Sequence, residues 1–369
     1  MNGAGDGGQV LVREGLAYVG HMGRGRIGTS IIDVTDPERP QVVSQLLTPP
    51  GTHSHKVQLV DELMLVNYER NRFEPDARSW RGGLRIYDVT DPRNPREVGW
   101  FEVAGKGVHR MTCWETPYVY MSASADGFRE QFLMIVDIST PTRPQEVGRW
   151  WLQGMREGER EHSGWSDQRK YTHHHPIIRD NRAFCSWWDA GLVILDITNA
   201  AEPRLVHHLQ IDAAESGQTH TALPIPGREI LVLVDEAISS DDPVTCTRQI
   251  RIIDISDESL PREVSRFPVP EGPYREIGGT FGPHNLHEMR PGSFVSSEVI
   301  HATYNNAGLR VYSISDPLAP RELASFVPEK LGGQPALIND VFVETNGRIY
   351  ITEKSVGGLY ILEDSESRY

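Results

Sequence analysis

The sequence predicts an all-β fold, a seven-bladed β-propeller of four-stranded antiparallel blades. Three observations predict it: one segment recurs seven times, its copies are nearly evenly spaced, and no stretch carries a helical period. Taking Asp33, Asp88, Asp137, Asp196, Asp254, Ser313 and Glu363 as equivalent, the spacings are 55, 49, 59, 58, 59 and 50 residues. Seven copies in 369 residues allow about 53 residues each.

In chain order the copies are TSIIDVTDPERPQVVSQLL (29–47), GLRIYDVTDPRNPREVGWFEV (83–103), FLMIVDISTPTRPQEVGRWWL (132–152), GLVILDITNAAEPRLVHHLQI (191–211), IRIIDISDESLPREVSRFPV (250–269), GLRVYSISDPLAPRELASFV (308–327) and a shortened GLYILEDSESRY (358–369). Each holds an apolar strand, a D-P-x-x-P turn in which proline fixes φ, and a second strand. Two more strands precede each copy. In the third, VHRMTCWET, YVYMSAS, FLMIVDIS and QEVGRWWL (108–152) read as strands a to d, with a innermost. Copies four and six have the least secure turns, with Asn199-Ala200 for Asp-Pro and Ser313 for the usual acid. The last copy lacks strand d, and the glycine-rich residues before Gln9 make a poor substitute, so ring closure is expected to rest on packing. A solenoid of stacked hairpins is the alternative architecture.

The chain is read as one propeller domain spanning 1–369. Its 37 basic and 51 acidic residues give a net charge of −14, which argues against a nucleic-acid partner. No run approaches the roughly 18 apolar residues of a membrane span, so no membrane partner is expected. The start, MNGAGDGG, shows no signal-peptide pattern, and as given the chain is expected to be cytoplasmic. Cys113, Cys185 and Cys246 lack metal or redox spacing; the first two read as small buried hydrophobes.

The unit L-x-I-x-D-[VI]-[TS]-D-P-x-x-P resembles the LVIVD repeat of bacterial β-propellers, over nearly the whole chain. GTHSHKV, WWDAGLVILDI, GQTHTALPIPGRE and FGPHNLHEMRPGSF also look like that family. The resemblance implies the propeller fold and leaves the activity open.

Counting back nine positions from each strand b places His55, His109, His174 and His220 at one height on the innermost strands of blades two to five. Blade six offers His284 and His287, blade seven Asp340 and blade one Gln9. Inner strands line the channel, so these imidazoles are expected to converge and to bind a divalent transition metal (Fe, Mn, Zn or Cu). The competing reading is a hydrogen-bonded staple between blades. Spacing does not decide which of His173, His174 and His175 faces the channel, or whether His53 joins the ligands.

The a–b and c–d turns are short, whereas residues 67–82, 152–172, 235–249 and 270–283 form long connections, all at the histidine end. Long loops gathered on one face of a rigid scaffold usually carry function. Strand b ends at that face, which brings in Glu69, Arg70, Glu236 and Tyr304 as candidate catalytic groups. Glu69, Glu236 or Glu353 could orient a ligand imidazole or act as general base, and Arg70 or Lys354 could hold an anionic group. Of Trp187 and Trp188 only one can face the site. No dinucleotide fingerprint, nucleophile elbow or P-loop is present.

The expected function is a metal-dependent oxidoreductase, oxygenase- or oxidase-like, acting on a small aromatic or anionic molecule. Carotenoid-cleaving oxygenases and methanethiol oxidases of the selenium-binding family are similar in architecture only. The alternatives are a lyase, isomerase or hydrolase using the metal as Lewis acid, and a non-catalytic propeller binding a ligand or protein.

Overall fold

A computed structural model describes residues 6–160, 169–211, 218–237, 248–330, 332–355 and 358–363. The expected residues 161–168 and 238–247 of two long loops, Cys246, and the tail beyond Glu363 lie outside the described residues. The chain forms seven consecutive antiparallel sheets around a channel, one per repeat, each drawn from one uninterrupted stretch. Among the described residues no helix is long and apolar enough to cross a membrane.

Blade three shows the pattern: Val108–Thr112, Tyr118–Ala123, Phe132–Asp137 and Gln145–Trp150 pair in that order outward from the channel. Its third strand, FLMIVD, is almost wholly buried because neighbouring blades cover both faces. Strand d lies at the rim and is half exposed, as Gln41–Leu47 illustrates in blade one. Side chains from blades two, three and four, among them Ile86, Met121 and Trp187, share one cluster, so the core sits between blades. Cys113 and Cys185 belong to it, as buried thiols.

The repeated aspartate closes the c–d turn. Asp88 Oδ1 accepts from Thr90 N (2.9 Å) and Thr90 Oγ1 (2.7 Å), and Asp33, Asp137, Asp196 and Asp254 accept from the N–H two residues on in the same way. The two least secure turns close likewise. Asn199 Oδ1 accepts from Ala201 N (3.1 Å), and Ser313 Oγ from Ser315 N (3.3 Å).

Blades six and seven each have three regular strands among the described residues. In blade six the innermost segment still runs beside Val299–Thr303, through His284 N to Thr303 O (2.9 Å) and His287 N to His301 O (2.9 Å). The ring closes without a shared strand. Gly7–Arg13 packs directly on blade seven, where Asp340 Oδ2 accepts from Val10 N (2.9 Å) and Thr352 Oγ1 donates to Gly8 O (2.5 Å).

Candidate metal centre

In blades three and five the innermost strand begins with a β-bulge, and the bulge carries the histidine. In blade three Val108 pairs with Ala123 and Arg110 with Ser122, leaving His109 unpaired; in blade five the residue skipped between Thr219 and Thr221 is His220. In blade two His55 sits in the break between Thr52–His53 and Val57–Val60. A bulge re-aims one side chain and leaves the rest of the strand in register, as active-site rims often require. Blade seven bulges at Asn339, one residue before the expected Asp340. Asn339 therefore takes the ring position, through its carbonyl, and Asp340 drops into the layer below. In blade one Gln9 braces the neighbouring strand, accepting from Val57 N through Oε1 at 3.0 Å.

Five imidazoles form a contiguous arc. Ring centroids are 4.9 Å apart for His55–His109, 4.7 Å for His109–His174, 3.9 Å for His174–His220 and 4.6 Å for His220–His284, and His53 adjoins His55 at 4.7 Å. Of the three consecutive histidines only His174 joins the arc. His173 packs on Trp187 between blades, and His175 lies beneath, 3.2 Å from Thr112 Oγ1. His287 stands apart: Nε2 donates to Phe294 O (2.8 Å) and Nδ1 accepts from Val343 N (3.2 Å), so both nitrogens serve the seam between blades six and seven.

The two acids sit within the arc. Glu69 accepts from His109 Nδ1 (2.9 Å), His53 Nε2 (3.2 Å) and Gln131 Nε2 (3.0 Å). Glu236 lies 3.2 Å from His284 Nε2 and 3.8 Å from His220 Nε2. Two sets of donor atoms fall within metal-binding reach of each other, His53–His55–Glu69 and His174–His220–Glu236. Burial raises both carboxyls, but the imidazoles beside them outweigh it, so Glu69 is held below its ordinary range and Glu236 comes down to about 2. Burial, reinforced by nearby cations, pushes His55, His174 and His220 well below the usual imidazole value. These rings are neutral, as ligation requires.

Elsewhere the picture is mixed. Trp188 stacks against His174 at 6.3 Å and Trp187 is core. Arg70 is exposed at the end of strand Leu63–Arg70, donating to Pro75 O (3.1 Å), and Tyr304 is buried against Phe281. Lys354 Nζ donates to Asn305 Oδ1 (2.9 Å), while the buried Glu353 accepts from Leu337 N (2.9 Å) and Ser355 N (3.0 Å).

Sequence reasoning missed the layer below the ring. Lys56, Arg110, Glu288, Arg290 and Asp340 are buried there, with Glu288 accepting from both arginines and Arg110 donating to Asn285 Oδ1 (3.0 Å). Burial, with Arg110 nearby, brings the Lys56 ammonium down to about 7. The available signal was charge at positions inside otherwise apolar inner strands. The channel's other mouth holds a cavity of about 450 Å³ bounded by Arg13, Asp61, Trp114 and Pro291; none of the arc histidines lines it.

Fold and site together define a seven-bladed propeller with an imidazole–carboxylate cluster on its axis. The LVIVD repeat family model matches residues 126–151, 178–210 and 248–269, so the chain carries LVIVD repeats within a seven-bladed β-propeller. No curated protein matches it in sequence. Among solved structures it is similar to a hypothetical selenium-binding protein from Sulfolobus tokodaii (TM-score 0.61, 15% identity, 96% of this chain and 91% of that one). It is also similar to the β-propeller domain of Cps50 (Swd1) from Myceliophteria thermophila (TM-score 0.59, 12% identity, 98% of each chain). At these identities the likeness is one of fold.

Proposed function

We propose that this mouth of the channel is the transition-metal centre of an enzyme, an oxidoreductase acting on a small aromatic or anionic molecule. The observation that carries the reading is a conflict between hydrogen-bond acceptors. His109 Nδ1 donates to Glu69 and His174 Nδ1 donates to the His220 carbonyl (2.9 Å), yet their Nε2 atoms face each other at 2.9 Å. His284 Nδ1 lies between Asn339 O (2.6 Å) and Asn285 Nδ2 (2.9 Å), and its Nε2 faces Glu236 (3.2 Å). The His109–His174 pair needs a positive centre between its members, and one cation among His109, His174, His220, His284 and Glu236 supplies it. A spacing of 2.9 Å also suits two neighbouring ligands at metal–nitrogen distances of about 2.0–2.1 Å.

Nitrogen and carboxylate donors without sulfur suit iron, manganese or zinc, and two imidazoles with one carboxylate is a donor set of non-haem iron oxygenases. Bound there, such an ion supplies electron transfer and an open coordination position. The chain does the rest. Glu69 fixes the His109 tautomer, as carboxylates do for ligand imidazoles. Trp188 gives the site an aromatic wall, and His109, with its side chain 25% exposed, leaves it reachable.

Protein purified without a tag or added metal should contain a transition metal by elemental analysis. The double variant His109→Ala, His220→Ala should lose at least 10-fold in occupancy with its melting little changed. Metal content unaffected by those substitutions leaves only the stapling role for the histidines. A redox-silent zinc ion as the native metal moves the reading to Lewis-acid chemistry.

A further inference from the structure

The hydrogen bonds that fix three of the arc's imidazoles do not fix them alike. His109 and His174 spend the Nδ1 proton on a carboxylate or a backbone carbonyl, which turns Nε2 into a lone pair facing inward. His55 is reversed. Asn67 Oδ1 accepts from Lys56 N (2.8 Å) and Asn67 Nδ2 donates to Val108 O (2.9 Å), so the amide can have only one orientation. With the amide held so, its Nδ2 also faces His55 Nδ1 at 3.2 Å, and that ring nitrogen must be an acceptor. In the neutral ring the proton then resides on Nε2. A nitrogen that carries a proton donates hydrogen bonds and does not bind a metal.

We infer that His55 is the hydrogen-bond donor of this site, and that its Nε2–H receives an anionic group, such as a substrate carboxylate or enolate, occupying the open position beside His109. The inference rests on the metal-centre reading above. One neighbour supports it. His55 adjoins His109 in the arc, at 4.9 Å between centroids, so its ring lies next to a ligand. His55 thereby differs in role from the ligand imidazoles beside it in the arc.

The test uses the full chain loaded with cobalt(II), with azide as the anionic probe followed by visible absorption. His55→Ala should keep the wild-type cobalt content, whereas His174→Ala should lose it. The azide dissociation constant of His55→Ala should rise about 10-fold or more, the usual effect of deleting a hydrogen bond to a charged partner. His55→Gln, whose amide keeps an N–H donor, should recover most of the loss and guards against a folding defect in the alanine variant. Loss of cobalt from both His55 variants, comparable with that from His174→Ala, would make His55 a ligand and overturn the inference. Unchanged azide affinity in His55→Ala overturns it as well. A wild-type protein that binds no cobalt defeats the metal reading itself, a separate and recognisable result.

Discussion

At Asp88 one carboxylate closes a turn by accepting from the Thr90 hydroxyl and N–H and from Arg96 Nη2 (2.7 Å). These contacts, Thr90's first, bring its carboxyl down to about 2. A depressed value means stability that is present above the unfolded value of about 3.9 and is lost as pH falls through the folded one. Asp88→Asn should therefore lower the melting temperature at pH 7, and the gap from wild type should narrow steadily between pH 4 and pH 2. A gap independent of pH would mean that the charge of Asp88 contributes nothing. At the same scale lies what sequence could not show of the site. His109 and Glu69 were identifiable as residues in the right place, but the proton positions that separate His55 from His174 depend on Asn67 and on backbone carbonyls brought in from neighbouring blades.

Among elements, strand d locks one blade to the next. Strand d bulges, and the residue after the bulge meets the turn carbonyl of the following blade: Ser265 Oγ donates to Pro317 O (2.5 Å), and a Cβ added at Gly99 would lie 1.9 Å from Pro141 O. Only glycine fits so close an approach. Gly99→Ala should cost about 1–3 kcal/mol in a denaturant melt, the range of an overpacked core, and a neutral result would show that the blades slide apart freely. The c strands, their turns and the d strands were legible because their pattern is local and repeats. Bulges were not, since an extra residue leaves no mark on composition. Counting back nine positions succeeded for His55, His109, His174 and His220, and missed by one in blade seven, where Asn339 holds the place expected for Asp340.

For the whole molecule the decisive joint is the seam between blades one and seven, held by packing and a few hydrogen bonds across it. Thr352 is buried there and donates to Gly8 O. Thr352→Val preserves shape and strands that carbonyl, so it should cost about 1–2 kcal/mol in the unfolding free energy. No change in the denaturation midpoint would show that this hydrogen bond adds nothing to the seam. The sequence led to an expectation of closure by packing alone, and the structure adds two polar contacts that pair residues 330 and 344 positions apart, beyond any local pattern.

Because each blade comes from one uninterrupted stretch of chain, a unit of inheritance coincides with a unit of architecture. The D-P-x-x-P turn is where the copies resemble one another most, and unequal recombination between two such turns would add or remove a blade's worth of sequence while leaving every sheet whole. It would also add or remove one innermost strand, with or without its histidine. The number of blades and the set of donors around the axis are then linked ancestrally, and a paralogue with a different blade count should carry a different complement of imidazoles at its mouth.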